Sequence, residues 1–246
     1  MSNDFRQGAQ FGSVSRTSAE IDQGLRTYML SVYNYMAVGL AITGFVALAA
    51  FQLSFADGQL TTLGQTLYLS PLKWVVMLAP LGMVFFLSAR IHKMSVSTAQ
   101  MTFWVFASLM GLSLSSIFMI YTGQSITRVF FITAATFGGL SLFGYTTKKD
   151  LSGMGSFLMM GLIGIIIASL VNLFLQSSAM QFIISVIGVL VFAGLTAYDT
   201  QQIKEMYFAG DSQESMGRKA IMGALRLYLD FINMFLMLLS LFGNRE

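Results

Sequence analysis

The stretch from Leu151 to Tyr198, LSGMGSFLMMGLIGIIIASLVNLFLQSSAMQFIISVIGVLVFAGLTAY, contains no Asp, Glu, Lys, Arg or His. A helix crosses the hydrocarbon of a bilayer in about 20 apolar residues, so this stretch is too long for one crossing and suits two. Its polar patch, LQSSAMQ at 175–181, falls in the middle, and the stretch therefore reads as a tight hairpin of two transmembrane helices. Two more charge-free runs, Met94 to Thr127 and Val129 to Thr147, supply further spans on either side of YTGQSITR at 121–128.

The whole chain of 246 residues agrees with that start. It is 55% hydrophobic and only 10% charged, against about 25% charged for a soluble domain, and its mean hydropathy is +0.70. Seven spans are expected, at 28–53, 72–89, 97–121, 129–146, 155–175, 180–203 and 221–242. The fold class is an all-α polytopic membrane protein, with a polar tail at 1–27 and a seven-helix domain at 28–243. The segment before Tyr28 lacks a basic region running directly into an apolar one, so it reads as a retained tail rather than a cleaved signal. There is no cysteine, which excludes disulfides and thiolate metal sites. The net charge of +3 suggests no nucleic-acid face, because a positive-inside bias makes a membrane protein basic by itself.

Lys and Arg near the span ends set the orientation. With the N-terminus inside, the cytoplasmic pieces carry Arg6, Arg16, Arg26, Arg90, Lys93, Lys148, Lys149, Lys204, Arg218 and Lys219, and the opposite face carries Lys73, Arg128 and Arg245. The expected topology is N-terminus cytoplasmic and C-terminus outside. Small residues four apart, Gly111/Ser115 and Gly164/Ala168, read as ordinary close helix packing.

Only two acidic residues fall inside the spans: Asp199 in GLTAYDTQQIK and Asp230 in LYLDFINMF. Carboxylates in a membrane are costly, face the bundle interior and mark function. Asp199 lies five residues before Lys204, about 7 Å of helix from that interface. Asp230 lies four residues beyond Arg226, about 6 Å along the returning helix. The two carboxylates thus share a depth on consecutive antiparallel helices and can touch. Two negative charges about 4 Å apart repel by about 4 kcal/mol at an effective dielectric of about 20, so a touching pair is expected to hold one proton between them. Protonated, the pair clamps two helices; ionised, it repels itself and suits a hard cation such as Ca²⁺. A purely structural alternative stands beside this one. Arg226 and Asp230 are spaced i, i+4 and can neutralise each other on one helix, and Asp199 can pair with Lys204.

The span PLKWVVMLAPLGMVFFLSAR holds both prolines of the chain. Pro71 opens the helix, where its missing N–H costs little; Pro80 sits mid-span and is expected to act as a hinge. Arg90 ends the span on the side of the aspartates and is the candidate latch over them, or else a topology determinant alone.

GLTAYDTQQIK, ALRLYLDFINMFLMLLSLFGN and GYTTKKDLSGMG (144–155) together resemble the signature segments of the Bax inhibitor-1 family, most closely its bacterial inner-membrane branch, with the match running from about Tyr28 to Gly243. The resemblance implies a seven-helix bundle with the last helix central, in the inner membrane, and a pH-sensitive calcium leak. It also implies that Asp199 and Asp230 form the paired-carboxylate sensor and that an arginine at the end of span two, here Arg90, reaches them.

The leading functional expectation is a calcium-passing leak channel gated by protonation of Asp199 and Asp230. The rival is a non-conducting regulator that binds another membrane protein, such as a quality-control protease, through the polar tail. No cofactor is implied; calcium enters only as the transported ion. Enzyme chemistry is not expected. His92 is the sole histidine, which leaves no H-E-x-x-H zinc site. An intramembrane aspartyl protease expects glycine before a catalytic aspartate, where this chain has Tyr198 and Leu229.

Overall fold

Hydrocarbon offers no hydrogen bonds, so a spanning segment satisfies its backbone within itself and becomes helical. The structure, a computed structural model, describes residues 18–56 and 58–244, with side chains from residue 22 onward. Among the described residues, seven helices are long and apolar enough to cross a membrane. They are α1 (Ser18–Ser54), α3 (Leu72–Arg90), α4 (Val96–Leu114), α5 (Gly123–Thr146), α6 (Ser152–Leu175), α7 (Ser178–Glu205) and α8 (Gln213–Phe242). Between α1 and α3 the chain forms a two-residue hairpin, β1 (Phe55–Ala56) with β2 (Gln59–Leu60). Gly58 supplies its positive φ of 75°. The one-turn α2 (Thr62–Gly64) follows and runs into a π-helical turn, Gln65–Leu69.

The helix starts are written in the sequence. Ser95, Thr122, Ser177 and Ser212 each accept a hydrogen bond from a backbone N–H three residues on, capping α4, α5, α7 and α8. Two starts differ from expectation for one reason: charge patterning marks the edge of hydrocarbon, and a helix does not stop there. α5 begins at Gly123 instead of 129, taking Arg128 inside the helix, and α8 begins at Gln213 instead of 221. Likewise α1 begins at Ser18, so ten residues of the expected tail are helical. Residues 1–17, with Arg6 and Arg16, and Arg245 lie outside the described residues.

α8 is the axis of the bundle. It packs on α1, α4, α5 and α7, and Leu227, Tyr228 and Met234 on it are completely buried. Thr43 of α1 uses its one hydroxyl proton on the carbonyls of Gly39 and Ala107, so the Tyr228 hydroxyl donates to Thr43 at 2.6 Å and pins α8 to α1. Phe103 and Phe106 stand edge-on to the Tyr228 ring. α7 is the second axis, packed on α5, α6 and α8. α3 lies at the periphery against α4, and it runs unbroken through the buried Pro80.

Glycines set the closest approaches. A Cβ on Gly144 would strike the backbone carbonyl of Ala197, and one on Gly155 would lie 2.6 Å from the Tyr198 ring. Both glycines belong to GYTTKKDLSGMG, and both contacts fall on the residues just before Asp199. Gly111 is packed similarly against the carbonyl of Thr43, at 2.6 Å, whereas Gly164 faces open space. Gly144→Ala is expected to force α5 away from α7 and cost about 1–3 kcal/mol. Gly164→Ala is expected to be neutral or stabilising by about 0.5–1 kcal/mol. Thermal unfolding of the two variants in detergent checks this, and equal midpoints would refute the contact.

Candidate functional site: a carboxylate pair between two helices

Asp199 on α7 and Asp230 on α8 lie within hydrogen-bonding reach of each other. Asp230 is buried, at 5% exposure, and its Oδ2 has no hydrogen-bond partner. Asp199 is half-buried. Two carboxylates contain acceptors only, so a hydrogen bond between them requires a proton on one of them.

The basic neighbours do not close on the pair. Arg226 is exposed and, among the described residues, makes no ion pair within 4 Å; its charge nonetheless lies within electrostatic reach of both carboxylates. Lys204 donates to the carbonyl of Tyr145 at 2.8 Å and sits 5.3 Å above the Tyr145 ring, which engages it away from Asp199. Arg90 is exposed at the end of α3 and makes no ion pair among the described residues, so the bridge from Arg90 to the aspartates is absent in this conformation. The geometric reason is the peripheral position of α3, packed on α4 while the aspartates sit on α7 and α8.

The residues after Asp199 fix its helix in place. Thr200 donates to the Thr196 carbonyl at 2.7 Å, so Ser141 of α5 donates to Thr200 at 2.9 Å and Tyr33 of α1 donates to Ser141 at 2.7 Å. This one-way hydroxyl chain joins three helices one residue from Asp199. Gln201 accepts from the Leu151 N–H at 2.8 Å and donates to the Lys149 carbonyl at 2.9 Å, holding the α5–α6 loop. In that loop Asp150 accepts from the Ser152 N–H at 2.8 Å, and this bond holds its carboxyl below the usual carboxylate range. The roles of Tyr33 and Ser141 carried no signal in the sequence. Neutral hydroxyls are common, and Tyr33 and Ser141 are separated by 108 positions in the sequence.

Two carboxylates are a sparse metal site. Among the described residues no group of three or more His, Cys, Asp or Glu side chains gathers to hold an ion, and calcium takes six to eight oxygens when held tightly. The pair suits a passing cation better than a resident one.

Gln201→Ala would leave the buried Leu151 N–H without its acceptor, at an expected cost of about 1–3 kcal/mol. Limited trypsin digestion in detergent is the measurement: cleavage after Lys148 and Lys149 should rise well above wild type, and an unchanged rate would show that the clamp does not hold the loop.

A family model described as "Inhibitor of apoptosis-promoting Bax1" matches residues 25–246. The chain is 49% identical to the inner membrane protein YbhL of Escherichia coli (strain K12), over 91% of this chain and 94% of that one. It is 48% identical to the uncharacterized protein RP147 of Rickettsia prowazekii over 92% of each chain. A Caulobacter vibrioides protein is 47% identical over 99% of this chain and the full length of its own.

Proposed function

The chain belongs to the Bax inhibitor-1 family and is a multi-pass protein of the bacterial inner membrane; from that premise we propose that it is a cation leak, with calcium as the transported ion, gated by one proton shared between Asp199 and Asp230. The observation that carries the proposal is the contact of two carboxyl groups on adjoining helices, one of them buried with an oxygen that no protein donor reaches.

The gating follows from charge. With the proton in place, the Asp199–Asp230 hydrogen bond holds α7 against α8. On the far side of the pair, Val191 and Phe192 of α7 and Met234, Phe235 and Leu238 of α8 are buried apolar side chains, and in this reading they bar an ion from the opposite end of the helices. This is the closed form. Loss of the proton sets two negative charges against each other, worth about 4 kcal/mol at about 4 Å and an effective dielectric of about 20. That repulsion is relieved when the helices part or when a cation enters between the oxygens. A divalent cation with a hard preference for oxygen gains most from the second route. Arg90 and the Pro80-containing α3 are assigned to a later conformation, in which α3 moves toward the pair.

Protein purified and placed in liposomes with a trapped calcium indicator tests the proposal. Calcium entry should vary with pH in wild type, and Asp199→Asn and Asp230→Asn should each flatten that dependence. A pH profile left unchanged by both substitutions overturns the shared-proton gate. Absence of flux at every pH, with a membrane protein that co-purifies and is lost on deleting residues 1–26, would make the chain a regulator of that partner instead.

A further inference from the structure

At the end of the bundle that carries Lys204, Arg218 and Lys219, α3 and α8 do not pack together. A cavity of about 590 Å³ separates them. Its apolar wall is formed by Val84 of α3, Ile91 of the following 3-10 turn, Met206, and Met222 and Leu229 of α8; its basic lining is Arg218, Lys219 and Arg226, with His92 beside them. Among the described residues no carboxylate lines it. The volume lies within the ordinary range of small-molecule sites.

The three permanent cations differ in what they already hold. Lys219 pairs with Asp211 at 2.6 Å and donates to the Met206 carbonyl. Arg218 pairs with Glu214 at 3.5 Å and donates to the Met94 carbonyl. Arg226 has no hydrogen-bond or ion-pair partner among the described residues. It stands two helical turns further along α8 than Arg218, on the side of the cavity away from the end of the helix. A guanidinium at that depth is costly without a counter-charge, and its planar fork matches a phosphate with two parallel hydrogen bonds.

We propose that this cavity binds an anionic phospholipid, with the phosphate on Arg226 and the acyl chains along α3. Two features favour a lipid over a free anion. The wall beside the cations is apolar, which suits an acyl chain and not a hydrated ion. Beside that wall, Leu81 and Phe85 of α3 are exposed at 53% and 67%, within one helical turn of Val84. Arg226 is within electrostatic reach of Asp199 and Asp230, so a phosphate that takes this arginine also draws on a cation that acts on the carboxylate pair. The binding stands without the leak reading, since it is measured without flux.

The test is native mass spectrometry of the full chain in detergent, with phosphatidylglycerol and phosphatidylcholine added in equal amounts. Phosphatidylglycerol adducts should dominate. Arg226→Gln should reduce that preference about tenfold, the worth of one charge-assisted hydrogen bond. Val84→Trp, which fills the cavity and leaves Arg226 in place, should reduce it as well. Arg128→Gln, at the opposite end of the bundle, should not change it. Equal occupancy by the two lipids, full phosphatidylglycerol binding by Arg226→Gln, or displacement of the lipid by millimolar inorganic phosphate would each overturn the proposal.

Discussion

A carboxylate in a membrane interior can be neutralised by a cation, by a proton, or by a second carboxyl group that shares a proton with it. In this bundle no cation forms an ion pair with Asp230 among the described residues: Lys204 is spent on the Tyr145 carbonyl, and Arg226, exposed on α8, acts on the carboxyl groups from beyond 4 Å. What remains is the Asp199 carboxyl group. The rest of the architecture keeps α7 and α8 in register so that the two groups meet. α1 and α4 brace α8, while α5 and α6 brace α7. Where those braces come closest to the pair, they do so through glycine. Gly144 and Gly155 lie against Ala197 and Tyr198; a methyl group at Gly144 would meet the backbone of the segment that carries Asp199, and one at Gly155 the Tyr198 ring.

The polar residues around the pair divide into those that position it and those that close helix ends. Thr200 and Gln201 immediately follow Asp199 and point to different helices, one into the Ser141–Tyr33 hydroxyl chain and the other to the α5–α6 loop. A polar residue buried in a membrane bundle needs a partner, and Thr200 finds one on α5 while Gln201 finds two in the α5–α6 loop. The helix carrying Asp199 is therefore tied in rotation as well as in depth.

Several of the basic residues close helix ends. Lys204 reaches a carbonyl in the last turn of α5, Lys219 the carbonyl of Met206 at the end of α7, and Arg128 the Phe242 carbonyl at the end of α8. Each satisfies a carbonyl that has no intrahelical donor. Arg226 has no such carbonyl among the described residues, and it stands in electrostatic reach of the carboxyl groups at the wall of the cavity between α3 and α8.

The number of spans, the hairpin at 175–181, the depth shared by Asp199 and Asp230 and the family resemblance were all determined by the sequence. They follow from local quantities: the length of apolar runs, the rise per residue of a helix, the spacing of charges along one segment. Helix starts at Gly123 and Gln213 escaped that logic, because hydropathy reports where hydrocarbon ends, and a capped helix continues into the interface. The partner of each side chain was decided only by the tertiary structure. Whether Arg226 neutralises Asp230, whether Lys204 pairs with Asp199, and whether Arg90 reaches either depends on the rotation of helices about their own axes. That rotation is fixed by close contacts between distant parts of the chain, Gly144 on Ala197 and Thr43 on Tyr228 among them, which no local pattern in the sequence encodes.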